Sequence, residues 1–194
     1  MINGNFSHCT NLQQFYDDIV SVQKKAHGDL YTSHHSDLID LMSQCKTYKE
    51  LGVNQGATAA AVLLQVPKSI ELIDIVLTNF NEYRHLFDQF AQDNDVILSI
   101  KEISSTDPEL NITECDLLFV DSLHHAWHVE QELMLHAPMT NKYIIIHDTD
   151  DRPMNHAIAL NVLMPLGWKE VKRDTRGFGH SIFKKVFAIL GEDE

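Results

Sequence analysis

The sequence predicts an α/β protein on a doubly wound, mostly parallel, seven-stranded sheet, with helices before it and an antiparallel hairpin at its end. Three observations predict this. Short apolar runs of strand length alternate with longer segments whose apolar residues recur every three or four positions. One run, Leu117-Leu118-Phe119-Val120, is apolar throughout, as strands covered on both faces are. The last two strand-like segments are joined by a short stretch around Gly177-Phe178-Gly179, too short for a parallel crossover.

In chain order, Leu12, Phe15, Ile19 and Val22 predict a first helix over residues 12–25, closed by His27-Gly28-Asp29. Ser36 is placed to cap a second helix with Leu38, Ile39, Leu41 and Met42 as its buried stripe. The first strand is Thr47–Leu51, followed by a helix over 57–64. Pro67 breaks the chain before a second strand at 70–75, apolar apart from Glu71 and Asp74. An amphipathic helix over 80–91, a third strand over 96–100 and a fourth over 116–121 come next. Ala126–His136 is helical, 143–146 is the fifth strand and 155–164 a further helix. Residues 167–173 and 181–186 make the hairpin. With no repeat or linker, residues 1–194 are expected to form one domain, a helical cap over 1–46 and a ligand-binding core over 47–186.

Composition narrows the function classes. The chain is 44% hydrophobic and 22% charged, ordinary for a globular domain with one substantial core. A formal net charge of −13 argues against nucleic acid and anionic membrane surfaces, which reward basic patches. No apolar run approaches the roughly 20 residues that span a bilayer, and residues 1–10 lack a signal-peptide core. Cys9, Cys45 and Cys115 show no paired spacing, so a reducing, cytoplasmic setting is expected. The sheet edge or the N-terminal helices could support an oligomer. Of twelve histidines, six fall at His34-His35, at His124-His125 with His128, and at His147 beside Asp148.

The chemistry concentrates between Tyr48 and Thr58: a strand ending in Glu50, a turn with Gly52 and Gly56, and an alanine-rich helix. Such glycines permit a sharp turn and leave space for a ligand against the main chain, here Val53, Asn54 and Thr58 beside them. The helix then turns its amides toward the crevice. A carboxylate two residues before the first glycine would repel a pyrophosphate, and the G-x-G-x-x-G spacing of dinucleotide sites is absent. An amino group or a positive charge suits the site better. A strand–turn–helix without a ligand is the plain alternative.

In open parallel sheets, ligands bind beyond the carboxyl ends of the strands. Here every strand end is polar: Glu50 and Gly52, then Asp74, then Ser104-Ser105-Thr106-Asp107, then Asp121 with His124, then His147-Asp148-Thr149. Asp74 is placed to accept ribose hydroxyls, and Ser105 and Thr106 to meet an adenine edge. Each could instead cap or turn the chain.

The Glu50-x-Gly52-x-x-x-Gly56 stretch resembles the first motif of class I S-adenosylmethionine-dependent methyltransferases. Asp121-Ser122-Leu123-His124, Glu130-Gln131-Glu132-Leu133 and His147-Asp148-Thr149 are further similar to the small methyltransferases of family 24. That branch is related to cephalosporin-hydroxylase-like and macrolide-sugar O-methyltransferases. The likeness runs from about Asp37 to Lys185. It implies a Rossmann-like methyltransferase fold, S-adenosylmethionine as cofactor, and O-methylation of a small hydroxylated acceptor such as a sugar. Two departures stand out: Ala126 replaces the family's aromatic residue, and Thr140-Asn141-Lys142 replaces its paired glycines.

An acceptor hydroxyl needs a base or a metal. His124 is the first choice of base and His147 the second. By the same likeness, Asp121 and Asp148 are placed to hold Mg2+ or Mn2+. Tyr31, His34, His35 and residues 150–155 are expected to wall the acceptor. Other readings are a non-catalytic protein that binds the cofactor, a zinc hydrolase using His124 and His128 with Asp121 or His147, and, least fitting, an NAD-dependent reductase.

Overall fold

The structure, a computed structural model, describes residues 4–186; residues 1–3 and 187–194 of the expected domain lie outside the described residues. The elements run α1 (Leu12–His27), α2 (Ser33–Met42), β1 (Thr47–Leu51), α3 (Ala57–Leu63), β2 (Ser69–Asp74), α4 (Thr78–Asn81) and α5 (Arg84–Asp93). They continue β3 (Ile97–Glu102), β4 (Cys115–Val120), α6 (Ala126–His136), β5 (Thr140–His147), α7 (Pro153–Leu163), β6 (Trp168–Asp174) and β7 (His180–Lys185). The sheet order is β3-β2-β1-β4-β5-β7-β6. β1 to β5 are parallel, β7 runs antiparallel to β5, and β6 pairs antiparallel with β7. This is the predicted doubly wound sheet with its hairpin. Among the described residues, no helix is long and apolar enough to cross a membrane.

Each face of the sheet carries its own core. Phe15, Leu38, Val62 and Phe87, from α1, α2, α3 and α5, pack with one set of strand residues, including Leu117 and Phe119. Val129, Leu133, Ala159 and Leu163, from α6 and α7, pack with the alternate set, including Leu118 and Val120. Successive strand residues point to opposite faces, so an unbroken apolar run feeds both cores.

Local chemistry explains the boundaries that differ from expectation. α1 begins where the Asn11 side chain accepts the Gln14 amide at 2.9 Å. It ends at Gly28, whose φ of 90° and bond back to Lys24 close the helix. A short 3-10 turn, Asp29–Thr32, then leads straight into α2. Ser36 is therefore not the cap. It lies one turn inside, its hydroxyl donating to the Ser33 carbonyl at 2.8 Å. The helix expected over 80–91 is two helices, because Tyr83 interrupts it. Tyr83 is bonded in three-residue turns on both sides, and its hydroxyl ties down the Phe6 amide and the Gly4 carbonyl.

The two charges inside the sheet are paired. Lys49 on β1 is almost fully buried, donates to the Thr113 carbonyl and lies 3.2 Å from Glu71 on β2. Lys101 on β3 reaches the other Glu71 oxygen at 2.6 Å, and the Thr113 hydroxyl donates to Glu71 as well. Burial opposes the charge on Glu71, yet the Lys101 and Thr113 hydrogen bonds hold its carboxyl below the usual range.

The cap is tied to the far end of the chain. Asp37 on α2 accepts from Lys172 on β6 at 2.7 Å and from His180 on β7 at 2.6 Å.

The tightest point of the fold is Gly52. Its φ is 89°, its amide donates to the Ile73 carbonyl, and a Cβ there would lie 2.2 Å from the Asp121 carbonyl oxygen. The Asp121 amide meanwhile donates to the Leu51 carbonyl at 2.8 Å. Gly52→Ala combines left-handed strain with a backbone clash and is expected to cost about 3 kcal/mol in urea unfolding. Gly167→Ala has a similar φ of 82° but its nearest neighbour at 3.6 Å, so it should cost only about 1 kcal/mol. Equal losses at the two positions would show that strain alone, and not the approach of β4, governs Gly52.

Candidate active site

A cavity of about 720 Å3 opens beyond the carboxyl ends of β1, β2, β4 and β5, where the strand order reverses between β1 and β4. Its volume suits a nucleoside-sized ligand together with a second small molecule. Glu50, Gly52, Val53, Asn54, Thr58, Asp74, Ser105, Asp121, His124, His147 and Asp148 all line it, as the strand-end reading expects. Two expected residues are elsewhere. Gly56 lies under the loop at φ 88°, and a Cβ on it would meet the Phe80 and Phe87 rings at 2.9 Å. Thr106 is turned away and shares a 3.2 Å hydrogen bond with Ser104. The two glycines thus make room for protein, Gly52 for β4 and Gly56 for two aromatic rings, rather than for a ligand.

Around β1 and β2 the cavity is acidic. Glu50 is almost wholly buried, and the Tyr48 hydroxyl donates to its Oε2 at 2.8 Å. Burial, then the Asp121 and Asp74 carboxylates nearby, push its pKa well above the usual range. Asp74 accepts the Val53 and Asn54 amides at 2.7 and 3.0 Å through one oxygen, and the Val76 amide at 3.1 Å through the other. It therefore braces the glycine turn, and Asn54 takes the left-handed φ of 49° that this requires. Ile75, the next residue, is exposed and borders the cavity.

Around β4 and β5 the acids meet histidines. His147 Nδ1 donates to Asp121 at 3.0 Å and lies 2.9 Å from an Asp148 oxygen. Burial disfavours its charge, but the Asp121 and Asp148 carboxylates together outweigh that, and the pKa is pushed up to about 10. Asp148 also lies 2.9 Å from His124 Nδ1. Burial opposes ionisation of Asp148, yet the hydrogen bonds from His124 and His147 hold its carboxyl well below the usual carboxylate range. The same bond to Asp148 raises the pKa of the half-exposed His124. Asp148 is a non-glycine residue at φ 58°, a strained conformation of the kind found where a side chain must be aimed. Ligand atoms of Asp121, His124 and Asp148 lie within 4.8 Å of one another, a donor set that fits a divalent cation.

The walls come from both ends of the chain. Tyr31, His34 and His35 line the cavity, as do Asp151 and Arg152 from the segment after β5. Burial pushes His34 well below the ordinary histidine pKa and His35 down to about 3, so both rings are neutral. His34 stacks on Phe119 and meets His147 edge-on at 4.4 Å. Gln23 and Phe178 also reach the cavity. They were not expected there, since Gln23 is a polar residue within α1 and Phe178 lies in a turn. The aromatic bulk missing at Ala126 is not restored by Trp127, which is exposed and stacked on His125. Nor do His124 and His128 assemble a zinc pair. His124 precedes α6 and bonds Asp148, whereas His128 lies beside Ser105 and Glu132.

No family model matches the chain, and no curated protein matches it in sequence. Solved structures do match. One is a protein described as a caffeoyl-CoA O-methyltransferase from Staphylococcus aureus, with TM-score 0.64, 12% identity, and 92% of this chain and 94% of that one covered. An O-methyltransferase family protein from Burkholderia thailandensis matches with TM-score 0.61, 13% identity and 90% of this chain, which spans 59% of that longer protein. A methyltransferase of Podospora anserina bound to S-adenosylhomocysteine matches with TM-score 0.59, 12% identity, and 96% and 98% of the two chains. The sheet order, the closing hairpin and the cavity at the switch point are those of the Rossmann-like methyltransferase fold, and this chain has that fold.

Proposed function

We propose that the chain is an S-adenosylmethionine-dependent methyltransferase acting on a small hydroxylated acceptor such as a sugar. The observation that carries this reading is the acidic rim of Glu50, Asp74 and Asp121 around a nucleoside-sized cavity at the switch point. Such a rim favours a ligand bearing an ammonium and a sulfonium and disfavours one bearing phosphates. The S-adenosylhomocysteine held by the similar Podospora protein supports the same ligand. Among methyltransferases, Asp121-x-x-His124 and His147-Asp148-Thr149 favour the family 24 branch. The net charge of −13 favours a small molecule as partner over nucleic acid or an anionic membrane, and three free cysteines favour a reducing, cytoplasmic setting.

When bound, the cofactor supplies an electrophilic methyl group on a sulfonium, and the chain's residues orient it and prepare the acceptor. Glu50 faces the ammonium end, and Asp74 holds the turn that the cofactor lies against. His147 is protonated at neutral pH and fixes Asp121 and Asp148. With Nδ1 held by Asp148, His124 has Nε2 free to take the acceptor's proton. Tyr31, His34 and His35 form a neutral polar wall for hydroxyl groups. Asp121, His124 and Asp148 fit Mg2+ or Mn2+, which would supply a lower pKa to a coordinated hydroxyl in place of a base.

Calorimetric titration with S-adenosylmethionine and S-adenosylhomocysteine tests the reading. Binding is expected, weakened by about tenfold or more in Asp74→Ala, which frees the amides of Val53 and Asn54. A folded protein that binds neither ligand would sink it. Because Glu50 holds its proton more tightly in the free protein, a cationic ligand should expel it. Affinity should therefore rise with pH, and the binding heat should vary with the buffer's ionisation heat as a proton is released. With an acceptor identified, His124→Ala should lower turnover by about 10²-fold or more. A magnesium requirement lost in Asp121→Ala would assign the cluster to a metal instead.

A further inference from the structure

Helix α6 carries an acid that the proposed chemistry leaves unused. Glu132 is fully buried beneath the cavity, between the segments that follow β3 and β4. One of its oxygens, Oε1, accepts the Ser105 hydroxyl at 2.5 Å and the Ser122 hydroxyl at 2.6 Å. Among the described residues, Oε2 has no partner, and neither has Nδ1 of His136 one turn along the helix. A buried carboxyl group with a bare oxygen costs stability that an apolar residue of similar volume would not. Packing alone does not account for it. Its two serine partners do, because both line the cavity.

A hydroxyl has one hydrogen to donate and two lone pairs to accept with. Both serine hydrogens are committed to Glu132. His128 Nε2, 3.3 Å from Ser105 Oγ, can then reach that oxygen only as a donor. Toward a ligand the two serines offer lone pairs and nothing else. Ser105 follows β3 and shares this end of the cavity with Ser104 and Ile75, and Ser122, which follows Asp121 at the end of β4, meets it at Glu132.

We infer that Glu132 is a positioning residue that sets the hydrogen-bond polarity of the base-binding end, so that it takes a 6-aminopurine and rejects a 6-oxopurine. This rests on the assignment of the cavity to S-adenosylmethionine. An exocyclic amino group brings two hydrogens to waiting lone pairs. A carbonyl oxygen in its place sets lone pairs against lone pairs and leaves both sides unpaired.

The test compares S-adenosylhomocysteine with S-inosylhomocysteine, its 6-oxo counterpart, by calorimetry on the full chain. The wild type should bind the adenosyl compound at least about tenfold more tightly. Glu132→Leu keeps the bulk but removes the oxygen that accepts both serine hydrogens, which then turn toward the cavity. The preference should then fall to within about threefold. Ser122→Ala, at a partly exposed position, removes one acceptor and should lower the preference too. A wild-type preference near one would overturn the inference while leaving the cofactor assignment standing. So would a preference unchanged in both variants while both affinities fall together, the mark of a purely structural role. Should Glu132→Leu not fold, Ser122→Ala decides alone. A wild type that binds neither compound would overturn the cofactor assignment, and this inference with it.

Discussion

The contact on which the site depends is the backbone approach of β1 to β4 at Gly52. There is no space for a Cβ, since it would lie 2.2 Å from the Asp121 carbonyl oxygen. That closeness lets the two strand ends bond across the switch point, with the Asp121 amide donating to Leu51 and the Gly52 amide to Ile73. Three strand ends are thereby gathered around one residue, and each brings a carboxylate: Glu50, Asp74 and Asp121. Burial, and then like charges so close together, push the pKa of Glu50 well above the usual range. The fold thus stores a demand for positive charge where the sheet divides.

The acids around the cavity are handled by two different means. On the β1–β2 side, Asp74 spends its acceptors on main-chain amides and Glu50 takes a tyrosine hydroxyl. On the β4–β5 side, Asp121 and Asp148 share a protonated histidine. The first side keeps a rigid turn and a reserve of negative potential. The second balances its carboxylates with the histidines His124 and His147.

Much of this was legible in the residues. Unbroken apolar runs closed by a polar residue marked β4 and β5, and strand-length segments with an acid near the carboxyl end marked β1 and β2. The hairpin followed from chain length alone. What stayed hidden depended on distance in space. His34 and His35 were placed at the acceptor wall, yet their burial, with His34 stacked on Phe119 and edge-on to His147, was not legible. Ser36 looked like a cap because the preceding 3-10 turn leaves no pattern. Phe80, Leu86 and Phe87 continue a helical period through a break that Tyr83 causes by bonding to the N-terminal segment. The glycine spacing pointed to the right place for the wrong reason, since the space each glycine leaves is filled by protein. Glu132 was visible only as one letter of a familiar pattern, and its partners come from two other segments.

The bonds from Asp37 to Lys172 and His180 join residues 135 and 143 positions apart. On the ribosome, the cap helices emerge well before their anchor. Until β6 and β7 are made, α2 lacks these partners for Asp37, and the sheet has no strand beyond β5. A nascent chain therefore carries its acidic crevice without a finished wall until the hairpin follows. The β6–β7 hairpin completes both the sheet edge and the docking of the cap helices, so the enclosed pocket comes into being only once that hairpin is made.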